Sequence, residues 1–286
     1  MAKAASLLFA TAMTLDQLPP LRDTLAEHGL LAKKSFGQHF LLDLNITRKI
    51  ARLAQVGAGD HVIEVGPGPG GLTRALLETG ARVTAVEADP RFAPLLEELS
   101  LASNGALTLR LEDALTTNET AVAAGAPAHM VSNLPYNVGT PLLIKWLTGP
   151  FTPASMTLMF QKEVADRVAA EPGSDAYGRL SVIVQATSHA QVVMDVPARA
   201  FTPPPKVTSA VVRLTPLAQR PDATRLDALQ AITAAAFGQR RKMLRSSLKV
   251  LGGEALCEAA GVPPEARAET IDIEGFLALA DAWRRR

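Results

Sequence analysis

Ser132-Asn133-Leu134-Pro135-Tyr136 is the stretch of this chain whose residue types and order best suit chemistry. It follows the apolar run Ala128-His129-Met130-Val131, which reads as a buried strand, so Asn133 emerges at a strand end in a short proline-containing loop. The Asn133 side-chain carbonyl can accept one N–H of a planar exocyclic amine, and the main-chain carbonyl of Leu134 can accept the other. Pro135 stiffens the backbone between them, and Tyr136 offers a ring on which a nucleobase can stack. The plainer alternative is a strand-to-helix turn in which Asn and Pro serve only the turn. What the chain places beside this loop decides between the two.

Three earlier strand ends carry matching residues. His61-Val62-Ile63-Glu64-Val65 runs into Gly66-Pro67-Gly68-Pro69-Gly70-Gly71 and a helical Leu72–Thr79, the start of a nucleotide-binding βα unit. Glycines at Gly66 and Gly68 let the backbone pass close under a ligand. A second strand over Arg82–Val86 ends in Glu87, whose carboxylate can accept hydrogen bonds from two ribose hydroxyls. A third, Leu107–Leu111, leads to Asp113, which can accept an adenine amine or, equally, begin a helical turn. Gly66-x-Gly68-x-x-Gly71 also fits the dinucleotide fingerprint, but two prolines remove N–H groups that a pyrophosphate would need. A cofactor without phosphates, S-adenosylmethionine, fits better. Open α/β sheets bind ligands at such strand ends, and four in succession carry Gly66, Glu87, Asp113 and Asn133.

The elements that must hold these residues fit in a chain of 286 residues, 48% hydrophobic, with a net charge of +1. That is enough for a large domain and a small one. Near neutrality means that any contact with nucleic acid must come from local charge. The one cysteine, Cys257, excludes an intrachain disulfide and reads as a small buried residue, consistent with a reducing compartment. No metal or Ser/His/Asp constellation is evident among the five histidines. Residues 1–12 read as an extension with Met13 a natural start, secretion is not expected, and no stretch is long enough to cross a membrane.

Lys33-Lys34-Ser35-Phe36-Gly37-Gln38-His39-Phe40-Leu41 reads as a loop over a ligand, with Lys33 and Lys34 toward phosphate. Asp43 caps a helix over Leu44–Ala54, with Ile46, Ile50 and Leu53 on one face. Farther on, Pro141–Leu147 is predicted helical with Leu143 and Trp146 in the core. Ser155–Phe160 is a buried strand in which Met156 and Met159 are filler, and Arg179–Thr187 is helical or extended. Val192–Val196 and Ala210–Leu214 are strands that close the sheet as a hairpin-like edge. Between them Phe201-Thr202-Pro203-Pro204-Pro205-Lys206-Val207 is stiff and extended. From about Pro216 alanine-rich helices take over, carrying Arg240-Arg241-Lys242, Arg245, Lys249 and Arg284-Arg285-Arg286, either a solvated face or a surface that tracks phosphates. Three units result: an extension and arm over 1–32, an α/β domain over 33–215 and a helical domain over 216–286.

From Lys33 onward the chain resembles the KsgA (RsmA) family of small-subunit rRNA adenine dimethyltransferases. The blocks that carry the likeness are Phe36–Leu41, Glu64–Gly68, Asn133–Tyr136, Gln161–Val164, Tyr177–Ser181 and Phe201–Val207, in the family's order. The resemblance implies a Rossmann-like S-adenosylmethionine-dependent methyltransferase sheet with a smaller all-helical C-terminal domain that binds rRNA. It implies transfer of methyl groups to the exocyclic amines of two adjacent adenosines in a hairpin near the 3′ end of 16S rRNA, within the immature 30S subunit. Carried over residue by residue, His39, Leu41 and Gly68 line the cofactor, Gly66 its methionine end, Glu87 its ribose and Asp113 its adenine. Asn133 stands between cofactor and target base, and Phe201 is a second aromatic plate facing Tyr136. The family often has Asn where this chain has His39. A cytoplasmic monomer is the expectation. Three rivals remain at this stage: a large-subunit rRNA methyltransferase of the antibiotic-resistance kind, a ribosome-assembly factor that mainly binds subunits, and a dinucleotide-dependent oxidoreductase.

Overall fold

The computed structural model describes residues 14–30 and 39–286. The expectations for residues 1–12, Met13, Lys33–Lys34 and Phe36–Gln38 lie outside them. An N-terminal arm with helix α1 (Leu21–Glu27) buries Leu21 and Leu25. The two-residue strand β1 (Phe40–Leu41) precedes α2 (Leu44–Ala54), where Asp43 accepts the Asn45 N–H as the expected cap and Ile50 is buried. Then come β2 (His61–Val65), α3 (Gly71–Leu77), β3 (Arg82–Glu87), α4 (Ala93–Ala102), β4 (Leu107–Leu111), α5 (Glu119–Ala123), β5 (Ala128–Asn133), α6 (Gly139–Thr148) and β6 (Ser155–Gln161). Helices α7 (Lys162–Val168) and α8 (Arg179–Thr187) lead to β7 (Ser188–Val196), the short β8 (Phe201–Thr202) and β9 (Ser209–Pro216). Arg179–Thr187 is thus helical, and the last two long strands extend past their predicted ends.

The seven-stranded sheet has the order β4-β3-β2-β5-β6-β9-β7. Strands β2 to β6 pair in parallel, while β9 pairs antiparallel to both β6 and β7. The expected hairpin-like edge is there, with β9 laid against β6 and β7 outermost. Successive residues alternate between two apolar layers: Val62, Val131, Met159 and Val211 face α2, α3 and α4, while Ile63, Met130, Leu158 and Val212 face α6 and α8. Burial on both faces explains why these strands read as continuous apolar runs. Trp146 and Leu143 lie in the second layer, and Met156 and Met159 are fully packed. Arg74, buried on α3, donates to the carbonyls of Leu18 and Pro19 and so holds the N-terminal arm against the domain.

Helix α9 (Ala223–Gly238) opens the C-terminal region, followed by α10 (Leu244–Ser247), α11 (Gly253–Ala260) and α12 (Ile273–Arg284). Cys257 is fully buried among them. Their core reaches into the α/β part: Tyr177, Val182 and Ala186 belong to the same cluster as Leu229, Leu256 and Phe276. The Tyr177 hydroxyl donates to the Ile271 carbonyl at 3.0 Å.

Candidate active site

Chain order and sheet order together create the site. From β2 the chain builds outward through β3 to β4, then crosses back to lay β5 on the other side of β2. At such a reversal the loops leave in opposite directions and a crevice opens beyond the strand ends. Here the opening is sharpened, because β2 and β5 pair only as far as Ile63 and Met130. Past that point the Val65 N–H is satisfied by the buried Ser132 hydroxyl at 2.8 Å instead of a strand carbonyl. Gly66 and Asn133 therefore emerge on either side of one gap.

A cavity of about 440 Å³ occupies it. His39, Leu41, Gly66, Gly68, Glu87, Asn133, Leu134, Tyr136 and Phe201 all line it. Gly66 and Gly68 have φ of +67° and +54°, the left-handed region that glycine favours. A Cβ on Gly66 would also meet the Pro135 ring at 3.2 Å, so the two loops pack on each other. Glu87 Oε2 accepts the Gly68 N–H at 3.0 Å and Oε1 that of Asp89 at 2.9 Å, which fixes the carboxylate while leaving lone pairs for a ligand. The Leu134 side chain is buried and anchors the loop, and the Tyr136 hydroxyl is 2.7 Å from Ser209 Oγ on β9. Burial pushes the Tyr136 phenol up, against the opposing effect of that hydrogen bond.

Two placements add to the expectations. The ring that faces Tyr136 is His39, 6.0 Å away between centroids and tilted by 33°, while Phe201 is buried in the cavity wall. The pairing of β1 with β8, Leu41 opposite Phe201, brings both to the cavity. His39 Nδ1 is 2.8 Å from the Pro203 carbonyl, an acceptor only, so the proton sits on Nδ1. Asp113 stands outside the lining and is exposed. Its Oδ1 accepts the Leu115 N–H at 2.9 Å and its carbonyl takes the N–H groups of Thr116 and Thr117, so the turn alternative weighed for it is the geometry displayed.

The model of the family described as Ribosomal RNA adenine dimethylase matches residues 29–284. The chain belongs to that family. It is an S-adenosylmethionine-dependent rRNA adenine dimethyltransferase with a Rossmann-like sheet. Among its relatives, the protein named Ribosomal RNA small subunit methyltransferase A of Phenylobacterium zucineum is 75% identical over 274 residues, 96% of each chain. The protein of the same name from Caulobacter vibrioides is 71% identical over 252 residues, 88% of this chain and 97% of that one. A dimethyladenosine transferase from Plasmodium falciparum superposes with a TM-score of 0.70 at 26% identity, covering 84% of this chain and 96% of its own. The 23S rRNA methyltransferase ErmE does so with 0.66 at 28%, covering 86% and 99%.

The cavity suits the cofactor of an rRNA adenine dimethylase. Among the described residues its lining includes the carboxyls of Glu64 and Glu87 and no Lys or Arg. Pro67 and Pro69 have no N–H to give a phosphate. These described walls offer few donors to a pyrophosphate and suit a nucleoside without phosphates. Glu64, 1% exposed, keeps Oε2 without a partner. Burial pushes its carboxyl up to about 8, and the nearby Glu87 adds to the rise. Burial raises Glu87 as well, against the N–H groups it accepts. Glu64 and Phe92 were absent from the sequence-based site. Glu64 looked like one more strand residue, and Phe92, which meets Phe40 edge-on at 5.6 Å, lies beyond a proline turn with no motif of its own.

A second concavity, of about 880 Å³, lies among α9, α10 and α11. Lys242, Arg245 and Lys249 line it with Glu254 as the single carboxylate. Neither Lys242 nor Lys249 has a carboxylate partner among the described residues.

Proposed function

We propose that this enzyme dimethylates two adjacent adenosines in the 3′-terminal hairpin of 16S rRNA, within the immature 30S subunit, and serves small-subunit biogenesis as a cytoplasmic monomer. The observation that carries the reading is the 75% identity, over nearly the whole chain, to a protein named for the small subunit. The likeness to ErmE is of fold and motif at 28%, so the large-subunit alternative is the weaker one. No described helix is long and apolar enough to cross a membrane.

In this reading the flipped adenine stacks on Tyr136, with Phe201 and His39 closing the other side. Its amine is a poor nucleophile because the nitrogen lone pair is delocalised into the ring. Asn133 Oδ1 and the Leu134 carbonyl each accept an N–H, which favours a tetrahedral nitrogen and frees the lone pair. S-adenosylmethionine supplies the methyl group, on a sulfonium. Glu87 holds its ribose, Gly66 and Gly68 admit its methionine end, His39 and Leu41 cover it, and Asp113 meets its adenine amine through the oxygen not used in the turn. The remaining work is alignment. The alkylated nitrogen is acidic and gives its proton to water. After the first methylation one N–H is left, so the second transfer proceeds with one acceptor engaged and the other facing a methyl group.

The unit over 216–286 serves rRNA binding in this reading, with Lys242, Arg245 and Lys249 following the phosphate backbone. It also supports an assembly role that would persist without methylation. Labelled S-adenosylmethionine offered to unmethylated small subunits, large subunits and duplex DNA, with nucleosides identified after digestion, tests both. Dimethyladenosine from small subunits alone is expected. Label in large subunits would overturn the substrate assignment, and binding without transfer would leave only the assembly role.

A further inference from the structure

The tie between α6 and the turn after β4 belongs to neither concavity. Helix α6 starts directly behind the Asn133–Tyr136 loop, where the Gly139 N–H donates to the Pro135 carbonyl at 3.1 Å. Near its other end, the Lys145 ammonium donates to the Ala114 carbonyl at 2.8 Å, to the Thr117 carbonyl and to Glu119 Oε1 at 2.7 Å. All three of its N–H donors are spent on one turn and the helix that follows it. Glu119 is buried, and the same oxygen accepts the indole N–H of the buried Trp146 at 2.7 Å.

Within the turn, Asp113 accepts from Leu115, Thr116 and Thr117, Thr117 is buried and Ala114 packs against the core, while Asp113, Leu115 and Thr116 are exposed. At its start the Glu112 N–H donates to the Glu87 carbonyl at 3.1 Å, which sets Asp113 just beyond the ribose carboxylate. The two carbonyls that Lys145 gathers flank the exposed pair Leu115 and Thr116. The bonds to Asp113 shape the turn internally, whereas Lys145 joins its Ala114 and Thr117 carbonyls to α6, so losing the cation frees the turn to shift relative to that helix.

We propose that Lys145, held by Glu119, is a positioning residue that sets which nucleobase the cofactor site accepts. It fixes the Ala114–Thr117 turn, so that the free carboxylate oxygen of Asp113 stands where an adenine amine can donate to it. Through α6 the same contact ties this end of the site to the loop that bears Asn133. The inference rests on the reading of Asp113 given above.

The test is calorimetric binding of S-adenosylhomocysteine and of S-inosylhomocysteine, whose base has a carbonyl where adenine has the amine. The parent should prefer the adenine form by about tenfold or more, the lower end of the range for a hydrogen bond to a charged group. Asp113→Ala should abolish that preference. Lys145→Met should lose most of it while binding S-adenosylhomocysteine within a few-fold of the parent. Glu119→Gln keeps an acceptor for Trp146 and should lose part of it, which provides a readout if Lys145→Met does not fold. A role in stability alone would lower the melting temperature and leave the preference intact in both Lys145→Met and Glu119→Gln, and that result overturns the inference. Equal affinities in the parent, or an unchanged preference in Asp113→Ala, would instead remove the Asp113 reading and the inference with it.

Discussion

The cavity at the strand ends and the groove among the C-terminal helices are both concave, yet their walls carry different ionisable groups. Among the described residues, the first includes Glu64 and Glu87 with no Lys or Arg; the second presents Lys242, Arg245 and Lys249 with Glu254 against them. A formal net charge of +1 conceals this division. The two surfaces suit the two ligands of an rRNA methyltransferase: a compact cation that must be enclosed, and a polyanion that must be followed along its length. Separate construction makes them separable by substitution. The largest effect is expected from Asn133→Ala, which removes an acceptor for the target amine and touches no cation. Its kcat should fall by about 100- to 1000-fold, the usual loss for one preorganised polar partner. Binding of S-adenosylhomocysteine should change little and subunit binding not at all. Equal losses in kcat and in subunit affinity would mean that the two regions are not independent.

Reversing two charges in the groove probes the other side. In Lys242→Glu with Lys249→Glu, affinity for small subunits should drop by about tenfold or more, and the slope of log affinity against log salt should shrink by about 2, one for each phosphate contact. Cofactor binding should be unchanged. A salt slope equal to the parent's would return these lysines to the solvated face that a charge run often is.

How far the sequence foretells each region differs for physical reasons. The strand ends were legible because buried parallel strands write themselves as apolar runs, and Gly66, Glu87, Asp113 and Asn133 follow them in order. What escaped was contact across long separations. Two-residue strands have no period to detect, so nothing in the sequence announced that Leu41 would pair with Phe201, or that His39 would reach Pro203. Lys145 is an ordinary helix lysine until the Ala114 and Thr117 carbonyls are seen to converge on it. The protonation of Glu64 depends on its depth in the fold, which alternation alone does not give. The C-terminal basic cluster was visible, but the single core that joins its helices to Tyr177 was not.

Glu64 tests the protonation state of the cavity wall. Its carboxyl is pushed up to about 8 in the folded protein, above the ordinary 4.5, so the folded state holds a proton that the unfolded chain releases. The stability this contributes is full below pH 4.5 and is lost as pH rises through 8. In Glu64→Gln the ligand-free protein should lose less stability between pH 5 and pH 8, so that the difference in melting temperature from the parent shifts in the variant's favour as pH rises. Glu87 is raised in the same direction, so part of the slope remains. Parallel melting curves across this range would show Glu64 to be ionised in the free protein.

The smallest change is expected where the cavity carries its one imidazole. His39 gives its Nδ1 proton to the Pro203 carbonyl and faces the Tyr136 ring. An asparagine can offer an amide N–H to the same carbonyl but has no ring to set against Tyr136. His39→Asn should therefore keep cofactor affinity within about threefold, because one neutral hydrogen bond is exchanged for another. His39→Ala loses the donor, leaves the Pro203 carbonyl to water, and should weaken cofactor affinity by about fivefold, near the mean value of a neutral hydrogen bond. The informative quantity is the separation between the two variants. If Asn and Ala weaken cofactor binding equally, the imidazole acts through its ring against Tyr136, and the effect belongs with the target base. If Asn alone restores affinity, the bond to Pro203 is what holds β1 against β8, and His39 acts on the cofactor side.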